Sequence, residues 1–426
     1  MIHALVERCA GIDVGKTFVV VCVMIGPADG EAQTDTRRFG TMNSSLEQLR
    51  EWLEECRCTH VVMESTGSYW KPVFNVLEKS QRLQVVLANS QQVKGLRGHK
   101  TDPSDSKWLA HLLRHGMIRA SYIPPACIRE LRALTRHRKQ LVRAGAQERN
   151  RVQKQLEESN IKLGNVLSDV FGLSGQLMLE ALVKGDASPE QIAQMAQRQA
   201  RKKIPQIQAA LEGHQMGDIQ RELIRMSLEH MAVLENQIAH LDEVIFRHIE
   251  ACGLRREHEL LQTIPGVKKQ AAASILAELG PDMKVFGSGA KCSSWSGVCP
   301  GNNESAGKRR RAPVMNGNPW LRSTLVECAW AGANRKDSAL RQRYQRLSPR
   351  IGHKRAIVAV AHTLVLSAFE VLSKDRPYEG LGADPLPTSK VEHLVRHHTR
   401  RLRTLKRWLP APGCDGRSPA SPPASR

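Results

Sequence analysis

Aromatic residues make up only 4% of the 426 positions, which excludes a base-stacking surface as the chain's main means of holding a ligand. No Cys-x-x-Cys occurs. The ten cysteines are scattered, and neither Cys56/Cys58 nor Cys292/Cys299 has zinc-ligand spacing, so they read as reduced thiols of a cytoplasmic protein. The start, Met-Ile-His-Ala-Leu-Val-Glu-Arg, lacks the apolar core of a signal peptide. The longest apolar run, 357–372, contains His362 and Glu370 and reads as too short and too polar to span a bilayer, so no membrane partner is expected. Acids are also scarce: 42 Asp+Glu against 63 Lys+Arg leaves a net charge of +21. Such a field attracts polyanions, nucleic acid first. The length allows two or three domains with real cores.

What is present begins with three strands. Residues 8–14 form a short buried run, 17–25 a β-branched run, and 32–41 an amphipathic strand after the turn Gly-Pro-Ala-Asp-Gly. A helix over 44–57 follows, with Leu46, Leu49 and Leu53 on one face, then a strand at 60–64, a helix at 70–79 and a strand at 83–88. The next helix opens at Asp102, a good N-cap, with Pro103 suited to the first helical position. This order of elements is that of a ribonuclease-H-like domain.

Four acids stand at telling places on those elements. Asp102 and Asp105 are three apart and project from one side of the first helical turn. Like charges held that close call for neutralisation, and hard carboxylate oxygens suit Mg²⁺. Asp13 ends the first strand and Glu64 the fourth, and in a ribonuclease-H-like sheet those two ends lie side by side, facing the last helix. The bland alternatives are a helix cap, a turn former and a strand-end surface acid.

The remainder is mostly helical. Arg132, Arg136, Lys139 and Arg143 recur at 4-3-4 spacing, a one-signed stripe expected to meet phosphates, although a charge run is also commonly just a solvated face. Leu234, Ile238, Leu241 and Ile245 suit a helical hairpin or short coiled coil. Ile-Pro-Gly-Val at 264–267 between two helices reads as a helix-hairpin-helix turn that would offer backbone N–H groups to phosphate, or equally as a plain turn in a helical domain. A Gly/Asn/Ser loop then carries Ser305 just ahead of Lys308, Arg309, Arg310 and Arg311. From the residues alone Ser305 reads as an ordinary loop serine, since nothing of the Ser-x-x-Lys or nucleophile-elbow kind is present to activate it. Residues 396–407 form a basic arm, and beyond Leu409 the Pro/Ser/Ala-rich end is expected to be disordered.

Taken together, Gly-Ile-Asp13-Val-Gly-Lys, Met-Glu64-Ser-Thr-Gly, Lys-Thr-Asp102-Pro-Ser-Asp105, Ile-Pro-Gly-Val and Asn-Asn-Glu-Ser305-Ala-Gly-Lys-Arg resemble the DEDD-type transposases of bacterial insertion sequences, the one-ten group and its relatives, described as bridge-RNA-guided recombinases. The likeness runs from about residue 8 to 370. It implies an α/β plus all-α chain: a ribonuclease-H-like (Holliday-junction-resolvase-like) domain over 1–127, a basic helix and coiled-coil region over 128–250, a mainly helical transposase domain over 251–375, and a basic arm and tail over 376–426. It further implies that Asp13, Glu64, Asp102 and Asp105 hold Mg²⁺ and that Ser305 joins covalently to a DNA phosphate. Lys308 to Arg311, with the stripe at Arg132 to Arg143, would bind nucleic acid. The implied partners are the element's DNA ends and target, a guide RNA encoded by the element, and further copies of the chain in a dimer or tetramer in the bacterial cytoplasm. Where family members often carry a basic residue just before Gly317, this chain has Val314-Met315-Asn316, its cations lying upstream. The alternative activity is a metal-dependent junction endonuclease in which water attacks.

Overall fold

The computed structural model describes residues 4–65, 67–89, 102–118, 120–301, 304–305, 308–309, 314–336, 338–380 and 395–403; of 102–104, 304–305 and 308–309 it describes only the backbone. The chain divides into two compact units, Met1–Pro125 and Ala126–Arg426.

The first unit is built on a six-stranded mixed sheet. Its strands are β1 (Arg8–Val14), β2 (Phe18–Ile25), β3 (Gln33–Gly40), β4 (His60–Glu64), β5 (Gln84–Ala88) and β6 (Ala120–Ser121), in the spatial order β3-β2-β1-β4-β5-β6. β1, β4 and β5 are parallel, while β2, β3 and β6 run antiparallel to their neighbours. The helices are α1 (Asn43–Glu55), α2 (Trp70–Leu77) and α3 (Asp102–Arg114). The two-residue β6 is an addition to the elements legible in the sequence: it has too few residues to show a period.

Side-chain alternation sorts the sheet into two faces. Ala10, Ile12, Val21, Val61 and Met63 pack with Leu46, Leu49, Leu53 and Leu77 of α1 and α2. Cys9, Cys22, Met24, Val62 and Val86 pack instead with Leu109, Ala110 and Leu113 of α3. Burial on both faces explains why β1, β2 and β4 read as nearly unbroken apolar runs.

The second unit is helical. Its two longest elements, α4 (Ala126–Glu158) and α9 (Asp218–Ala251), pair antiparallel, as the contacts Arg138–Asp242 at 2.5 Å, Arg149–Glu235 at 3.7 Å and His230–Glu148 at 3.0 Å require. Between them come α5 (Leu163–Val166), α6 (Leu173–Lys184), α7 (Pro189–Gln194), a 3₁₀ turn and α8 (Ile204–Leu211), which form a small core of their own around Leu163, Met178, Leu179 and Ile207 with Val152 and Ile224 of the long pair.

The other ends of the long pair, at Ile128, Leu131, Ile245 and Ile249, join a larger core. That core is completed by α10 (Arg255–Gln262), α11 (Lys269–Leu279), α12 (Gly289–Trp295), α13 (Pro319–Asn334), α14 (Ala339–Ile351) and α15 (His353–Lys374). α15 extends beyond the apolar run seen in the sequence and is by length and composition apolar enough to cross a membrane. Its Ile357, Val360, Ala361, Leu364, Val365 and Ala368 are buried within this helical core, which accounts for its hydropathy.

The Ile264–Val267 turn joins α10 to α11. Gly266 has φ +88°, and a Cβ there would lie 2.4 Å from the Cys328 carbonyl oxygen and 2.6 Å from the Gly332 amide nitrogen. Its glycine is therefore needed for packing against α13. Residues 395–403 are helical and exposed; the rest of the expected basic arm and the tail lie outside the described residues.

Candidate active site

Strand register positions two of the acids. β1 and β4 pair in parallel with Gly11 opposite Val62 and Ile12 opposite Met63, so Asp13 and Glu64 come next at the same end of adjacent strands. Asp13 shares a face with Cys9 and Gly11, and Glu64 with Val62; both therefore belong to the face that α3 covers. Both are half-buried and both are engaged with neighbouring groups.

Gly11 sets how closely α3 approaches that face. A Cβ at Gly11 would lie 2.2 Å from the Ser106 carbonyl oxygen and 2.4 Å from the Ala110 amide nitrogen, so the helix backbone rests directly on the strand. The direction of α3 follows from three contacts. Arg114 donates to the carbonyls of Val6 at 3.4 Å and Glu7 at 3.3 Å, the Cys9 thiol lies 3.6 Å from the Ala110 carbonyl oxygen, and Ser106 lies over Gly11. Two strand residues advance about 6.6 Å and four helical residues about 6 Å, so the next step brings the start of α3, at Asp102, level with Asp13, and places Asp105 between the levels of Gly11 and Asp13. Asp105 is half-buried, and the side chain of Asp102 lies outside the described residues.

The far end of α3 is clamped. Arg114, 3% exposed, also donates to the carbonyls of Gly26 at 3.2 Å, Pro27 at 2.7 Å and Gly30 at 3.4 Å. A guanidinium can be buried here because five fixed carbonyl oxygens replace its water. Sequence reasoning missed both Gly11 and Arg114. The sole signal for Gly11 was a glycine inside an otherwise apolar strand, which marks a close backbone approach.

Among the described residues, no group of three or more His, Cys, Asp or Glu side chains is arranged to hold a metal ion. The backbone placement and the donor chemistry nevertheless fit a hard divalent cation: carboxylate oxygens only, from two strand ends and a helix start. Cysteine does not compete for such a role. Burial pushes the thiols of Cys58, Cys292 and Cys328 up to about 12, leaving them protonated at neutral pH.

In the second unit, the backbone of Ser305 forms part of a two-stranded ribbon, β7 (Glu304–Ser305) with β8 (Lys308–Arg309), in which Ser305 pairs with Lys308 and Glu304 with Arg309. The sequence predicted only a loop here. The ribbon's base is fixed by a bridge between Pro300 and Val314 and by contact of two glycine backbones. A Cβ on Gly317 would lie 2.3 Å from the Gly297 nitrogen, and Gly297 has φ +70°. Asn318 follows: its N–H donates to the Trp295 carbonyl at 3.0 Å, and its Oδ1 caps α13 by accepting from the N–H groups of Trp320 at 3.0 Å and Leu321 at 3.2 Å. Arg310 and Arg311 lie outside the described residues.

The basic stripe on α4 requires a correction. It does not lie free for phosphate, because most of it faces α11 and α13 of its own unit. Arg136 makes a two-pronged contact with Glu278 at 2.7 and 2.8 Å, and Arg132 lies 3.4 Å from the same carboxylate while donating to the Ala277 and Glu278 carbonyls. Lys139 donates to Thr324 at 3.1 Å and lies 3.4 Å from Glu327. Arg143 alone of the four is exposed, its guanidinium 5.0 Å from the Trp320 ring centre. The reason is Glu278, 3% exposed, whose buried charge requires cations; the Asn318 side-chain amide completes its shell at 2.6 Å. No periodicity in the sequence pointed to Glu278, an acid near the end of an Ala-rich helix.

Comparison with known proteins adds the following. Residues 10–161 match the family DEDD_Tnp_IS110, described as "Transposase", and residues 258–345 match the "Transposase IS116/IS110/IS902 family", together more than half of the chain. A Pseudomonas aeruginosa protein described as "Probable family 20 transposase" is 25% identical over 340 residues, covering 78% of this chain and 89% of that protein. Among solved structures, RuvC of Thermus thermophilus is similar over 27% of this chain and 99% of its own, at 14% identity and a TM-score of 0.23.

Proposed function

The chain belongs to the IS110-type insertion-sequence transposases, and from that premise we propose that it moves its element by serine-mediated DNA strand transfer, with Asp13, Glu64, Asp102 and Asp105 holding Mg²⁺ and Ser305 attacking the scissile phosphate. The observation that carries this reading is the β1–β4 register, which sets Asp13 and Glu64 level on the sheet face covered by the helix that starts at Asp102. The family makes the chain a DNA-binding, DNA-cleaving and rejoining enzyme in general terms. The serine, the choice of Mg²⁺, guidance by an element-encoded RNA and a homo-oligomeric assembly are parts of the proposal.

A divalent cation bound by the carboxylates would neutralise charge on the scissile phosphate. The protein's own residues supply the remainder. Asp13 and Glu64 ride on paired strands, so their separation is fixed by the sheet before substrate arrives. The amino end of α3 adds its positive dipole beside the carboxylates. Ser305 Oγ forms the new bond to phosphorus, the bond from phosphorus to the 3′ oxygen breaks, the serine proton is lost and the departing oxygen gains one. The resulting ester keeps the energy of the broken bond for rejoining, which hydrolysis would forfeit. Lys308 stands opposite Ser305 in the ribbon register, so the ribbon carries a cation at the level of the attacking group, where negative charge accumulates in the transition state.

The test is to incubate wild type and Ser305→Ala with Mg²⁺, RNA and a DNA site, then denature. Wild type is expected to leave protein attached to a DNA end, and Ser305→Ala to lose both adduct and recombination while retaining DNA binding. Cleavage by Ser305→Ala at the wild-type rate would mean that water is the nucleophile and the chain acts as a nuclease.

A further inference from the structure

Beside the base of the Ser305 ribbon lies a cleft of about 540 Å³ lined by Val298, Pro300, Val314, Ile351, Val358 and Ala359 together with Arg343, Lys354, Arg355 and His362. Among the described residues its lining contains three permanent cations and no acid. An apolar floor with a one-signed cationic lining selects a ligand that has flat apolar faces and carries negative charge. The volume falls within the range of small-molecule sites, ample for one nucleotide and too small for a base pair with its backbones. Pro300 and Val314 are the bridge pair at the ribbon base, and Ser305 lies five positions after Pro300 along the chain. That length of chain reaches at most about 18 Å, so a strand held at Ser305 passes within a few nucleotides of the cleft.

We propose that this cleft receives one unpaired nucleotide of the DNA strand that Ser305 attacks, seating its base against Val314 and Val358 and its phosphate on Lys354 and Arg355. The inference rests on the proposed function only for the identity of the strand. Burial and the neighbouring Arg343 charge both push the His362 imidazole down from its ordinary range, burial the more strongly. It is therefore neutral at pH 7 and offers one donor and one acceptor to a base edge. Lys354 and Arg355 are exposed and stand in the first turn of α15. In the duplex form the same base would be stacked and paired, and the gain from burying its faces would have to offset that loss. A strand already opened meets no such cost.

The proposal is tested by equilibrium binding with Ser305→Ala protein, so that strand cleavage plays no part. The probe is a DNA duplex of cognate sequence carrying 2-aminopurine at successive positions near the cleavage point, either fully paired or with that one base unpaired. One unpaired position is expected to bind about tenfold tighter than the paired duplex, the equivalent of ~1.4 kcal/mol, with a change in 2-aminopurine emission confined to that position. Val358→Trp, which fills the cleft, should abolish both effects and leave paired-duplex binding unchanged. Lys354→Ala and Arg355→Ala should each lower the log-log salt slope by about one for the unpaired probe. No preference for an unpaired base, or a preference that survives Val358→Trp, overturns the proposal. Full displacement of the probe by a deoxynucleoside monophosphate would assign the cleft to free nucleotide, and an equal effect with an RNA strand would assign it to RNA; either overturns the DNA-strand assignment. If binding behaves as expected but Ser305 forms no adduct, the cleft stands and the serine mechanism falls.

Discussion

The two regions that carry the candidate chemistry are held in opposite ways. In the first unit, Asp13 and Glu64 are placed by the sheet itself: five strands of regular register and a helix resting on Gly11 leave each side chain one face to occupy. In the second unit, Ser305 stands on a ribbon of two residues a side, fixed among the described residues at its base, by the Pro300–Val314 bridge, by Gly297 against Gly317 and by Asn318. A sheet supplies rigidity through repetition, so no single contact governs it. A short ribbon depends on a few contacts, each of which can be removed. The acids belong to a frame set before substrate binds, whereas the serine's ribbon should respond to changes at its base.

Several substitutions would break or sharpen this contrast, beginning with the largest effect. Asp13→Asn and Glu64→Gln should each lower strand cleavage by about a thousandfold or more, the scale on which preorganised charge acts, with thermal stability and DNA binding near wild type. Wild-type cleavage by either variant would remove that residue from the site. Gly11→Val should come next in severity. Its side chain has to displace the Ser106 and Ala110 backbone, so a loss of about 3 kcal/mol in stability is expected. Hydrogen exchange should show the loss in β1, β4 and α3, and unchanged protection there would contradict the helix-on-strand contact.

Glu278→Ala probes the other region. It leaves Arg132 and Arg136 without their shared carboxylate and Asn318 without its acceptor, at a cost of about 3 kcal/mol. Because Asn318 caps α13 and ties down the ribbon base, adduct formation through Ser305 should fall while metal affinity at the carboxylates, read by calorimetry, stays unchanged. An equal loss of metal affinity would show that the two regions are not held independently.

The smallest expected effect is that of pH. His258, 5% exposed, has its pKa held below the ordinary 6.5, first by burial and then by the nearby Lys269 charge, against a raising hydrogen bond from its ring to the Lys269 carbonyl at 2.9 Å. A depressed folded-state pKa means that the unfolded chain binds the proton first on acidification. The contribution to stability is thus complete above about pH 6.5 and declines as pH falls below it toward the folded value. Thermal melting at pH 7.5 and 5.5 should show this decline, and His258→Gln should reduce it. A melting temperature for the histidine protein independent of pH over that interval would refute the assignment.

How much of this was legible in the sequence follows from the same contrast. Five strands and the first three helices could be read because both faces of β1, β2 and β4 are apolar, and because Asp102-Pro103 signals a helix start. The positions of Asp13 and Glu64 at strand ends followed with them. The stripe from Arg132 to Arg143 was read as a surface for phosphate, yet Arg132 and Arg136 converge on a buried carboxylate 142 residues away from Arg136 along the chain. Nothing local distinguishes an arginine that waits for a phosphate from one that already has a carboxylate.

The sequence by itself determined the elements, the four acids' places upon them, the family, and the excess of positive charge, since each depends on neighbours within a strand or a helical turn. The tertiary structure alone decided that α3 lies directly on Gly11, that Arg114 closes its far end, that Glu278 claims the α4 arginines, and that a cleft opens beside the ribbon base. These are contacts between distant segments. Their partners are chosen by which backbones can approach and which buried charges must be met, and neither requirement leaves a periodic trace along the chain.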